Sequence, residues 1–228
     1  MANTLLAVRP KDDKYIFFSL RVSERNAMEV FMEKKKRFSA RTITGVAVLT
    51  ALVVLLQMVL GSIKIGPTSF SLVLIPIALG GIIYGPLAGG FLGLVFGFIT
   101  LMYGVTGADP FTTILLNDHP IITSLLCLGK GAFAGFFGGL SFKLLKRFNE
   151  YLGVFVAAAV TPIVNTGLFI LGALAMSDTL SANFVADGTT VIYFLVIGCA
   201  GLNFLVEFAV NLLSAPAVYR VIGIVKKK

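Results

Sequence analysis

The sequence predicts an all-α membrane protein of six transmembrane helices with both termini on the cytoplasmic side. Three observations predict it. The 228 residues are 57% hydrophobic and 13% charged, with a mean hydropathy of +0.94, where a soluble domain carries about 25% charged residues. The apolar residues form six runs, each near the roughly 20 residues that a bilayer-spanning helix needs. The Lys and Arg residues gather at the ends of those runs, in three clusters that share one side only if the spans number six.

The first span is read at about 42–60, the second at about 68–84 and the third at about 86–104, each long enough to cross the hydrocarbon core. Gly61 and Gly66-Pro67 separate the first two, and Gly85-Pro86 makes a tight turn before the third. The fourth span runs over about 120–142, opened by Asn117-Asp118-His119-Pro120, a capping side chain ahead of a first-turn Pro. Residues 147–150 link it to a fifth span at about 151–176, and a sixth follows at about 190–219. Pro76 and Pro162 are expected to kink the second and fifth spans.

Orientation follows from charge. Lys34, Lys35, Lys36, Arg37 and Arg41 precede the first span. Lys143, Lys146 and Arg147 follow the fourth, and Arg220 with Lys226, Lys227 and Lys228 follows the sixth. These mark the cytoplasmic side. The other side holds Lys64, Asp109, Asp118, Asp178 and Asp187. Three outward loops result, at about 61–67, 105–119 and 177–189; the second is long and mixed, as binding loops often are. The chemistry is therefore expected on the outward face.

Residues 1–31 lack the order of a signal peptide. Met28-Glu29-Val30 would be encoded by ATG-GAG-GTN, which contains a bacterial ribosome-binding sequence just ahead of Met32, so 1–31 is read as a non-native or disordered extension and 32–228 as the membrane domain. The net charge of +8 resides at helix ends and does not point to nucleic acid. Cys127 and Cys199 lie inside apolar runs and read as small buried side chains rather than a disulfide. One His, two such cysteines and no paired carboxylates argue against a metal site, and no cofactor is implied.

Lys130 is the charge that most needs a reason. It lies about 10 residues into the fourth span, roughly 15 Å deep at 1.5 Å per residue, where a lone charge costs about 2.5–3.5 kcal/mol on insertion scales. Asn203, Glu207 and Asn211 recur at i, i+4 and i+8 on one face of the sixth span, and Asn165 is near the middle of the fifth. Together they define a polar pocket between the last three spans. Two readings stand: a Lys130–Glu207 ion pair with Asn as interhelical glue, or a Lys130 that meets an anionic or acceptor-rich ligand from outside. Glu207 is placed deeper than Lys130. Asn117 and His119 stand at the outward start of the fourth span, where free N–H groups favour anions. Glycines at 80, 81, 85, 89, 90, 93 and 97, and at 129, 131, 135, 138 and 139, permit close helix packing. Ala47-x-x-x-Ala51 forms a small stripe on the first span, suited to a partner helix.

From about residue 40 to 222 the chain resembles the substrate-binding S component of energy-coupling factor (ECF) vitamin transporters. The resemblance rests on six spans, the Ala47/Ala51 motif, "GPTSFSLVLIPIALGGIIYGPLAGGFLGLVFG" at 66–97, "TPIVNTGLFILG" at 161–172 and the long second loop. It implies a non-enzymatic membrane subunit of an ABC-type importer in the bacterial cytoplasmic membrane. Such a subunit captures a water-soluble vitamin from outside, docks through Ala47 and Ala51 onto a transmembrane coupling subunit, and is driven by two cytoplasmic ATPases. By position, Lys130, Asn165 and Asn203 are its ligand residues, while Glu207 and Asn211 are too deep. The pattern is similar to the pantothenate/riboflavin-type branch. Pantothenate suits Lys130 and the asparagines and is favoured; riboflavin comes next, with Phe70, Phe111 and Tyr193 as its aromatic slot. A stand-alone secondary transporter or channel is the alternative, without the inverted repeat it would usually show. A membrane enzyme would need a nucleophile–base set that the sequence does not offer.

Overall fold

The computed structural model describes residues 40–61, 64–65, 68–69 and 72–226. The segment 1–31, the expected start at Met32, and Phe70 lie outside the described residues. Thr44–Lys228 form one compact unit.

Helix α1 (Ala40–Leu60) buries Leu49, Val53 and Gln57, a stripe at i, i+4 and i+8. Leu49 and Val53 pack with Val73, Leu74, Ile77, Leu92 and Phe96. Ala47 and Ala51 are exposed on another face of the same helix. A two-residue antiparallel pair follows, β1 (Lys64–Ile65) with β2 (Thr68–Ser69), in the register Lys64 opposite Ser69.

The helix expected from about residue 68 instead begins at Leu74, because Thr68–Ser69 is taken up by the strand pair. Helix α2 (Leu74–Tyr84) is therefore only 11 residues long. Pro76 falls in its first turn, where backbone N–H groups have no intrahelical acceptor, so the expected kink is not required. Gly85, with φ of 101°, takes a conformation that L side chains rarely adopt, and Pro86 at once opens α3 (Pro86–Val105).

The second loop is not a loop throughout. Asp109-Pro110 starts helix α4 (Pro110–Asp118). Asn117 and Asp118 thus sit in the last turn of α4, and the N-cap of α5 (Pro120–Leu145) is His119, without a side-chain capping bond. Helix α6 (Glu150–Leu174) is capped by Asn149, whose Oδ1 accepts from the Leu152 N–H at 3.1 Å, and it contains Pro162. The third loop carries a short helix, α7 (Ser177–Asn183). The last rod joins α8 (Val191–Tyr193), a π-helical segment π1 (Phe194–Gly201) and α9 (Leu202–Lys226).

Among the described residues, five helices are long and apolar enough to cross a bilayer: α1, α3, α5, α6 and the α8–π1–α9 rod. Helix α2 is a shorter apolar helix. The chain is a multi-pass membrane protein.

Helices α2, α3 and α5 meet backbone to backbone. A Cβ built at Gly93 would overlap the carbonyl oxygen of Gly131, and one at Gly89 that of Gly135. One at Gly139 would stand 2.8 Å from the Gly81 oxygen and 2.9 Å from Pro86 Cα. Only glycine allows this approach, which maximises dispersion contacts where lipid gives helices no hydrophobic reason to associate.

Two apolar cores bracket α5 lengthwise. At its Leu145 end, Ile82, Phe142, Val154, Ala157, Ala215 and Val218 pack together. At its Pro120 end, Phe111, Leu115, Ala173, Met176, Leu180 and Leu195 form a second cluster, so α4 and α7 cover that end.

Candidate ligand cavity

Between those two cores lies a polar layer. Residues Cys199, Asn203, Glu207 and Asn211 make a buried stripe along π1 and α9, as their four-residue spacing requires. Facing it, α6 presents Asn165, Thr166 and Phe169, α5 presents Lys130, and α3 presents Phe96; together they enclose a cavity of about 70 Å³. At about 10–15 Å³ per water, that is room for several waters and too little for a whole vitamin.

The Lys130 ammonium is held against aromatic faces. Its Nζ lies 5.2 Å from the centroid of Phe169 and 5.9 Å from that of Phe96, within cation–π range. Lys130 and Glu207 line the same cavity.

The asparagines are aligned by their own helix. Asn203 Nδ2 donates to the Cys199 carbonyl at 3.4 Å and Asn211 Nδ2 to the Glu207 carbonyl at 2.8 Å. Asn165 is 9% exposed, and among the described residues its buried Oδ1 has no hydrogen-bond donor. A buried acceptor without a donor is costly, and an incoming N–H or O–H group would relieve it.

Three of the sequence candidates, Lys130, Asn165 and Asn203, meet in this cavity. Others lie elsewhere. Phe111 is buried in the cluster at the Pro120 end, its ring 6.0 Å from Phe169 and 5.0 Å from Phe184. It therefore touches the cavity only through Phe169. Tyr193 is 59% exposed, and Asn117 is exposed. His119 Nε2 stands 3.3 Å from Asp178 Oδ1, and beside it Thr179 Oγ1 donates to Asp118 Oδ2 at 2.9 Å. These two links fasten α7 to the α4–α5 junction. The Asp178 carboxyl is held below the usual carboxylate range, chiefly by the Thr179 backbone N–H, with His119 adding to it.

Sequence reasoning missed two aromatic contributors, Phe169 and Phe96. Phe169 stands four residues after Asn165, hence on the same helix face, and this spacing was a usable signal. Phe96 carries no such mark. Glu207, which the sequence placed in the polar pocket but deeper than Lys130, lines the cavity as well.

A lysine and two amides gathered in one pocket inside an apolar bundle suit the holding of a small polar molecule. The sequence model of the "ECF transporter, substrate-specific component" family matches residues 41–219. The chain belongs to that family. No curated protein matches it. Substrate-specific components of ECF transporters are transporter subunits and not enzymes, and the matched span takes in the helices from α1 to most of α9, including every residue of the cavity.

Proposed function

We propose that this S component captures a water-soluble vitamin of the pantothenate/riboflavin branch, pantothenate in first place, at the Lys130 cavity. The single observation that carries the reading is the convergence of Lys130, Asn165 and Asn203 on one cavity. An ammonium between aromatic faces answers a carboxylate, and the amides answer hydroxyl and amide groups. Riboflavin, the next choice, would draw on Phe70, Phe111 and Tyr193.

In this reading the short α2 completes a set of six spans. Both termini are cytoplasmic, and α4 and α7 face the exterior of the bacterial cytoplasmic membrane. Asn117 and His119 belong to the entrance. Because the cavity is too small for a whole vitamin, ligand entry involves displacement of the Phe111–Phe169 ring pair beside it. The exposed Ala47 and Ala51 supply the face on which a transmembrane coupling subunit, carrying two cytoplasmic ATPases, docks.

Two measurements test this. Purified protein should bind pantothenate by calorimetry, and Lys130→Ala should weaken that binding while the yield of folded protein holds; unchanged affinity would remove Lys130 from the site. Ala51→Trp should abolish co-purification with ATPase-bearing partners and leave binding intact. Uptake into vesicles containing this chain alone would instead indicate a stand-alone secondary transporter.

A further inference from the structure

We propose that the groove between α5 and α6 is a second binding site, for the apolar chain of a medium-chain carboxylic acid whose carboxylate pairs with Lys130. The inference goes beyond the vitamin reading and stands apart from it.

The groove encloses about 390 Å³. Its walls include Leu125 and Phe133 on α5 and Leu171 on α6, all exposed on helices long enough to cross the bilayer. Gly129 opens its floor, since a Cβ there would meet nothing nearer than the Phe133 ring at 3.9 Å. Along α5 the lining runs from Ile122 to Phe133, about 16 Å at 1.5 Å per residue. Lys130 is the ionisable residue in that lining, and it also lines the interior cavity. One side chain thus borders both spaces.

A second groove supplies the contrast. Between α6 and the rod, Ile170, Ile197 and Phe204 help to line about 400 Å³ in which no described residue is ionisable. The two grooves match in size and apolar character. In lipid neither has a hydrophobic preference for one hydrocarbon chain over another, because the surrounding tails are equally apolar. Only a charge can select, and only the α5–α6 groove carries one.

The charge is positive and far from the headgroups, and those two facts set the occupant. A phospholipid keeps its phosphate at the interface, whereas Lys130 lies about 10 residues into the span, roughly 15 Å. A carboxylic acid can cross the apolar stretch in its neutral form and ionise beside the ammonium, since an opposite charge at close range favours the charged state. The groove lining holds no acidic residue among those described, while Glu207 lines the cavity, so an acid meets less repulsion from the groove side.

The test uses the full chain in phosphatidylcholine vesicles, which carry no net charge to compete. The probes are a decanoic acid bearing a diazirine in its chain and the alcohol of the same length. After illumination, labelled residues are found by mass spectrometry. The acid should label the α5–α6 groove at about 10- to 100-fold lower concentration than the alcohol, the range of one charge-assisted hydrogen bond. In the groove between α6 and the rod the two probes should label alike. Lys130→Met should erase the preference for the acid. Gly129→Leu, which fills the open floor, should lower labelling of its own groove and leave the other unchanged.

Acid and alcohol within about twofold of each other in wild type, below the weakest such bond, overturn the proposal. So does a preference for the acid that survives in Lys130→Met, or that appears equally in both grooves. Should either variant fail to fold, the wild-type comparison of probes and grooves decides alone. Pantothenate binding is measured separately by calorimetry; its failure sinks the vitamin reading and leaves the groove result standing.

Discussion

Helix α5 has two sides built on opposite terms. Toward α3, Gly131 and Gly135 lie against the backbone at Gly93 and Gly89 with no room for a methyl group. One residue from Gly131, Lys130 opens onto a cavity that can hold several waters. The seam is held by close-packed backbone, which has one arrangement. The cavity is walled by side chains that can re-aim, on α6 and on a rod interrupted by π1. The comparison teaches where motion belongs: α2, α3 and α5 form the fixed part, and ligand-dependent adjustment falls to α6, π1 and α9.

The largest expected effect comes from breaking the seam. Gly93→Leu should prevent accumulation of folded protein, read as loss of the monodisperse peak in detergent chromatography. Ordinary overpacking costs about 1–3 kcal/mol, and here the obstacle is the Gly131 carbonyl rather than a yielding side chain. Next comes Lys130→Met, with the opposite signature. Relief of a charge that costs about 2.5–3.5 kcal/mol to insert should raise the Tm of the empty protein while ligand affinity falls.

Asn165→Leu should act likewise but more weakly, because it removes a buried acceptor worth about 1–3 kcal/mol when unsatisfied. Equal losses of stability and affinity would show that this wall is structural. Gly90→Ala sharpens the contrast from the other side. Its Cβ would stand 3.5 Å from the Ala132 oxygen, an ordinary contact, so Tm should hold or rise, within the roughly 0.5–1 kcal/mol by which Ala exceeds Gly in helices. The smallest effect is expected at the cover. Because the Asp178 pKa is depressed, its contribution is present above the ordinary carboxylate range and is lost as pH falls through the depressed value. The Tm difference between wild type and Asp178→Asn should therefore vanish in acid and persist at neutral pH.

What was legible in the sequence was legible through contrast. A lysine among leucines and glycines, and polar residues every four positions in an apolar run, can hardly be anything but an interior face, and Lys130, Asn203 and Glu207 do share one cavity. Glycine content announced close packing without saying which glycine faced which; that depends on helix rotation, as the unequal neighbours Gly89 and Gly90 show. Helix α4 was hidden by its polarity and its brief nine residues, although Asp109-Pro110 is a helix start of the same kind as the one recognised at Pro120. The late start of α2 followed from a strand pairing that local propensity does not encode. The π1 interruption of the last span left no mark in the sequence, because its residues are apolar like their neighbours.

That interruption has one further consequence. Each residue added to or removed from a helix turns everything beyond it by about 100° at 3.6 residues per turn. Deleting a single glycine from Phe194–Gly201 would leave Asn203 and Glu207 anchored by α9, yet swing Thr190 through Tyr193 to a different bearing around the rod. A descendant of this protein could acquire a new entrance above an unaltered binding floor by losing one codon.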